Sequence, residues 1–269
     1  MAKPRIGFCR LTGSRGKYVK SHIIPKALTP KEVPGGSMFQ SDGRERPKRR
    51  FDSWYDQHLV IRKGEDILES IDDAAIKEIR RLKLAWKYWE DVSELGMMPI
   101  DIGVGIGLRS IGDVNHVALA EFAISVLWRA GASKMADMQG FHVSEALLEQ
   151  ARQVIVGDSE FNPNIFPIKV FQFATKGPIH NVTPMNHEMV QSDGAAEKFF
   201  RIFANGLFFH IVDTTSSQPY DLGRASWYLG NADRLDVICL DFEKSAQREF
   251  AMSVFDHFIS VGKYDGKRM

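Results

Sequence analysis

The chain predicts an α+β fold in which antiparallel strands are covered by helices, and three observations carry that expectation. Apolar residues recur at helical spacing through Ile71, Ala75, Ile76, Ile79, Leu82, Trp86 and Trp89. After Asn162 the pattern changes to short alternating runs, "NIFPIKVFQFAT" and later "RLDVICLDF". In "KFFRIFANGLFFHIVDT", Asn205-Gly206 separates two aromatic-rich stretches. That pair suits a two-residue hairpin turn, which needs φ > 0 at both central positions.

Taken in chain order, residues 5–28 read as two short β segments around "TGSRGK", broken at Pro25, which has no N–H to donate. Residues 29–53 hold Pro30, Pro34, Pro47 and paired glycines, the composition of a long loop. The Trp-containing helix is expected to begin near Asp72 and Asp73, whose charge suits a helix N-terminus, with its tryptophans in the core. "GMMPIDIGVGIGLRSIGD" has neither the spacing of a dinucleotide loop nor a P-loop lysine, and reads as a flexible connection. Asp113 is the expected cap of "VNHVALAEFAISVLWRAGA", apolar on most sides and hence buried, with His116 packed at its start. Ser144 caps a further helix, "VSEALLEQARQVIVG". His210 falls in the second hairpin strand as a structural residue, and "SAQREFAMSVFDHFIS" forms an amphipathic C-terminal helix. The expected division is a small module over 1–95 and an α+β body over 96–269.

An apolar share of 44% with 26% charged residues excludes wholesale disorder. No apolar run approaches the roughly 20 residues a membrane helix needs, so no membrane partner is expected and the reading is cytoplasmic. Cys9 and Cys239 are too few for a disulfide framework or a thiolate zinc site. The net charge of +1 hides an asymmetry: residues 1–63 carry 15 Lys+Arg against 5 Asp+Glu, and the rest carry 20 against 29. A basic segment on an acidic body predicts a polyanionic partner, here nucleic acid. "GRERPKRR", with five cations in eight residues, is the candidate phosphate-contacting arm.

No G-x-S-x-G elbow is present. "HNVTPMNH" separates its two histidines by a spacing and a proline that match no helical metal site. "CRLTG", "SHIIPKAL" and "YDQHLVIRKGEDILESIDD" together resemble the HNH endonuclease superfamily, whose ββα-metal core is a version of the treble clef. The narrower likeness is to bacterial HNH-like proteins with two C-x-x-C knuckles around "SHIIPK" and a later "SxLWRA"-type helix, which "FAISVLWRAG" fits. Here Cys9 survives in the first knuckle, Gly13 or a neighbour replaces its second cysteine, and Ile61 and Gly64 replace both in the second. Structural zinc is therefore not expected, and apolar packing takes its place.

The resemblance implies a degenerate treble-clef module followed by helices and an antiparallel sheet, acting as a metal-dependent nuclease on DNA or RNA. His22 would be the general base, preceded by Ser21 where many members have an acid or a His. Asp56, His58, Glu65 and Asp66 would hold Mg²⁺ or Mn²⁺. Lys17, Lys20, Lys26, Arg44, Arg46, Lys48, Arg49 and Arg50 would contact phosphates. Ser21 and the missing thiolates favour an alternative, a catalytically inactive module that binds nucleic acid or protein. The C-terminal body would then serve specificity, homo-oligomerisation or attachment of a protein partner. A third reading, an unrelated enzyme with its pocket in the aromatic β body, has no motif behind it.

Overall fold

A computed structural model of the chain describes residues 5–31, 38–41, 48–90, 92, 94–95, 98–99, 105–190, 196–215, 222–223 and 225–252, with the backbone alone at 38–41, 48–50 and 98–99. Arg44, Arg46 and the end of the C-terminal helix lie outside the described residues, and nothing is described of the side chains of Lys48, Arg49 and Arg50.

The N-terminal part is built from very short strands. β1 (Ile6–Phe8) and β2 (Arg15–Lys17) form a hairpin closed around Gly13, whose φ of 67° requires the freedom glycine has. β3 (Ser21–His22) pairs antiparallel with a strand more than thirty positions later, Tyr55–Asp56. Two strands intervene, β4 (Met38–Ser41) and β5 (Lys48–Arg50), so the Tyr55–Asp56 strand is β6. β4 and β5 depart from the loop expected over 29–53: they pair with each other, and β4 also pairs with a strand from the body, a long-range partner that local composition does not signal.

α1 (Arg62–Arg81) follows β6 directly. Gly64, Leu68, Ala75 and Ile79 make its buried stripe, spaced to lie along one face. The helix begins ten residues before Asp72, so Asp72 and Asp73 stand within it rather than at its start. It also ends before the tryptophans. Lys83 takes φ 52°, its N–H bonds to Arg80 O, and the Leu84 N–H bonds to Ile79 O. That is a Schellman-type stop with lysine where glycine is usual. Carbonyls of Leu82, Lys83 and Leu84 accept from Arg109 and the buried Gln172, which ties the helix end to the sheet. Trp86 and Trp89 are buried, as expected, but in a 3₁₀ turn.

The body is a seven-stranded sheet covered by α2 (His116–Ala132) and α3 (Glu145–Val156). In chain order its strands are β7 (Met98–Pro99), β8 (Ile106–Ile111), β9 (Ile168–Phe173), β11 (Met185–Val190), β12 (Ala196–Ala204), β13 (Leu207–Val212) and β14 (Leu235–Leu240). The short β10 (Asn181–Val182) is the body strand that pairs with β4. Across the sheet the order is β11-β12-β13-β9-β14-β8-β7. The expected antiparallel sheet is in fact mixed, because β14 returns after a crossover to lie parallel beside β9. The glycine-rich connection likewise contributes β8. Asn205 and Gly206, with φ of 54° and 85°, make the predicted hairpin turn between β12 and β13.

α2 is buried almost throughout, as predicted, but its cap is Asn115, which accepts from the Ala118 N–H. Asp113 instead takes φ 51° one turn earlier. Ser144 caps α3 as expected. One apolar cluster runs from Cys9 and Ile23 through α1, α2 and α3 to Cys239, so packing is continuous across residue 95. The opposite sheet face carries Phe173, Phe203, Phe208 and Phe242 around Trp86. No helix among the described residues is long and apolar enough to cross a membrane.

Candidate functional site

"SHIIPKAL" folds by alternating what it buries. Ser21 is fully buried, His22 is half-buried, and Ile23 and Ile24 are driven into the core. Ile23 still pairs through its N–H to Trp54 O; Pro25 then ends the strand and starts the 3₁₀ turn that buries Leu28. His22 is thereby held at a strand end with its ring on the partly open side. Tyr55, its cross-strand partner, lies 5.9 Å away between ring centroids.

The carboxylate facing His22 is Asp52, with Oδ1 3.5 Å from Nε2. That is ion-pair range but too long for a good hydrogen bond. Lys20 also pairs with Asp52, and Lys26 Nζ lies 3.2 Å from it. Burial pushes the Asp52 carboxyl up, but the two ammonium groups outweigh it and hold it far below the usual carboxylate range. Burial pulls His22 below its ordinary value of 6.5; Asp52 opposes the shift, while Lys26 and Lys20 add to it. The imidazole is accordingly neutral at pH 7 and able to accept a proton.

Behind the strand stands Arg129 of α2, 2% exposed. A guanidinium has five N–H bonds, and all five donate. Two go to the two Asp72 oxygens, at 3.0 and 2.6 Å, and one to the His22 carbonyl at 2.9 Å. The remaining two reach the Ser125 carbonyl and hydroxyl. The "SVLWRAG" helix thus fixes the backbone of His22 from below. Glu65, in the first turn of α1, lies near Ser21 and Arg129. Burial raises its carboxyl, which those two neighbours partly offset.

The expected metal ligands are dispersed. Asp56 is buried and accepts from the His58 N–H and the Ser133 hydroxyl, each at 2.7 Å. His58 meets Tyr18 edge-on, and Asp66 pairs with Arg62 on the exposed face of α1. Among the described residues no three His, Cys, Asp or Glu side chains gather to hold a metal ion. The donor set as arranged does not fit a divalent cation. The two knuckle positions do meet: Cys9 Sγ accepts from the Thr12 N–H, and a Cβ on Gly64 would come within 2.8 Å of that sulfur. With Thr12, Ile61 and Gly64 around one thiol, no zinc donor set exists there.

Three cavities run along residues 51–58. One of about 640 Å³ is bordered by Arg5, Phe51, Asp52, Tyr55 and His58. It shares Phe51, Asp52 and Ser53 with a cavity of about 440 Å³ that also meets Lys26 and Lys31. On its other side it shares Asp56, His58 and Met135 with one of about 320 Å³ bordered by Arg10 and Lys134. The result is a groove with cations along its length, passing Asp52 and His22. Lys20 and Lys26 of the expected phosphate contacts belong here, while Lys17 is exposed on β2 and borders none of these cavities. Sequence reasoning missed Asp52 and Arg129. An arginine inside an otherwise apolar helix was the available signal for the second. His180 and His187 are apart in role, the first bonded to Pro178 O and Gln247, the second stacked on Phe199. No protein-family model, curated protein or solved structure matches this chain.

Proposed function

We propose that the protein binds nucleic acid along the groove beside His22 and cleaves its phosphodiester backbone, as an HNH-like nuclease with His22 as the general base. The observation that carries this reading is the order β3, β6, α1, a strand pair followed at once by a helix, with His22 at the end of the first strand and facing a groove with cations along it. The contact of Cys9 with Gly64 supports the same ancestry, since it brings the two degenerate knuckles face to face. A base needs neutrality and access; His22 has the first from burial and the second from the groove. Basic side chains supply the sequence-independent attraction to phosphate.

A second reading, a binding module without cleavage, is favoured by the clasp of Lys20 and Lys26 on Asp52, which places a carboxylate where a phosphate would sit. One experiment separates the two. Labelled DNA and RNA are incubated with the purified chain in Mg²⁺, Mn²⁺ or EDTA, beside His22→Ala. Cleavage lost in the variant supports the nuclease; binding that survives with no cleavage in any condition supports the module.

A further inference from the structure

We propose that the groove takes single-stranded RNA and opens it without a metal ion, the ribose 2′-hydroxyl attacking the neighbouring phosphorus with His22 as its base. This rests on the nucleic-acid reading of the groove and narrows it to one polymer and one reaction.

The argument begins from the carboxylates. Asp52, the acid closest to His22, is clasped by two ammonium groups, while Asp56 is occupied by Ser133 and His58. Asp66 faces away with Arg62, and Glu65 lies by the buried Ser21. A hard cation needs several oxygens converging on one point, and these do not converge. What does converge beside His22 is positive charge, Lys20 and Lys26. Ammonium groups can stabilise the charge that builds on a phosphorane, but they cannot turn water into a strong nucleophile as a metal does. The nucleophile must therefore already sit next to the phosphorus. RNA carries one, its 2′-hydroxyl, and intramolecular placement is worth an effective concentration on the order of 10⁵–10⁸ M. DNA has none.

The aromatic residue of the groove points to an unpaired strand. Phe51 is 68% exposed and borders both cavities that flank Asp52. An exposed ring between cations is the arrangement on which unstacked bases settle. His22 Nε2 has no hydrogen-bond partner, which leaves it available to a hydroxyl.

In the step itself, His22 Nε2 takes the 2′-hydroxyl proton and O2′ forms a bond to phosphorus. The P–O5′ bond breaks, and the departing oxygen takes a proton from Lys26, the more exposed of the two lysines. Water recharges the amine and the imidazolium releases its proton to solvent. The products are a 2′,3′-cyclic phosphate and a free 5′-hydroxyl.

The test uses the full chain with EDTA present and three labelled single strands: RNA, DNA, and DNA with one ribonucleotide. The expected result is cleavage of the RNA and of the mixed strand at its ribonucleotide, with a cyclic phosphate end seen by mass spectrometry, and intact DNA. His22→Gln should lower the rate by roughly 10²–10⁴-fold. Phe51→Ala should weaken binding by roughly 5- to 150-fold. Both variants are checked for unchanged circular dichroism and melting. Cleavage unaffected by His22→Gln overturns the proposal. Cleavage of DNA only with Mg²⁺, lost in His22→Gln, also overturns it but preserves the nuclease reading. Binding without cleavage overturns it and leaves the binding module, and absence of binding overturns both.

Discussion

Arg129→Met removes the guanidinium that holds His22 from behind, and the consequence can be worked out from its five bonds. Arg129 is 2% exposed and the Asp72 side chain 14%, so the carboxylate left behind has little water to turn to. Removing one partner of a buried ion pair costs about 3–5 kcal/mol. In a chain of this size each kcal/mol lowers the melting temperature by about 2–4 °C, so a fall of roughly 6–20 °C is expected. Urea unfolding of the variant beside the double variant Arg129→Met/Asp72→Leu isolates the pair. The second change removes the stranded charge, and most of the loss should return. About 1–2 kcal/mol should stay missing, because the carbonyls of His22 and Ser125 still lack their donor. The single variant should also become less stable as the pH rises from 5 to 8, relative to the parent. Burial raises the Asp72 carboxyl, and an acid with a higher pKa folded than unfolded binds more protons in the folded state. A single-variant loss under 1 kcal/mol, or a double variant no more stable than the single, would refute the role given to Arg129.

Gly64→Ala puts a Cβ 2.8 Å from Cys9 Sγ and 3.1 Å from Val60, and should cost about 1–3 kcal/mol. Adding Cys9→Ala should recover much of that in denaturant unfolding; simple additivity would argue against the contact. Asp52→Asn should lower the His22 titration midpoint below that of the parent, itself below 6.5, because Asp52 is the group that raises it. Proton NMR of the imidazole reads this directly, and an upward shift would contradict the geometry. Gly206→Ala meets both a φ of 85° and the Trp86 ring at 2.4 Å. A loss of about 2–4 kcal/mol is expected, with a change in tryptophan emission.

The features legible in the sequence were those that local chemistry decides. Asn205-Gly206 specifies its turn without help, Ser144 caps the helix that follows it, and the run from Val117 to Ala132 is too apolar to lie anywhere but inside. What escaped was settled at long range or by an unfavoured conformation. α1 stops at Lys83, a residue that gives no warning of a left-handed φ, so the apolar spacing reads on falsely through Trp86. Asp52 sits at the end of a cation-rich stretch where its neighbours dominate the reading, and its meaning depends on Lys20, Lys26 and His22. Arg129 finds Asp72 57 positions away. His22 itself was legible from its motif; its surroundings were not.

β3 is two residues long, and a pair that short does not hold itself together. Its position is borrowed from α2, which lies beyond the boundary the sequence suggests at residue 95 and shares one apolar core with the segment before it. The unit that melts and the unit that inheritance assembled are therefore different objects. A fragment cut at that boundary would carry every residue of the motif and lose the grip that makes His22 a site. Changes far along the chain, anywhere that α2 packs, would reach the groove as surely as changes within it.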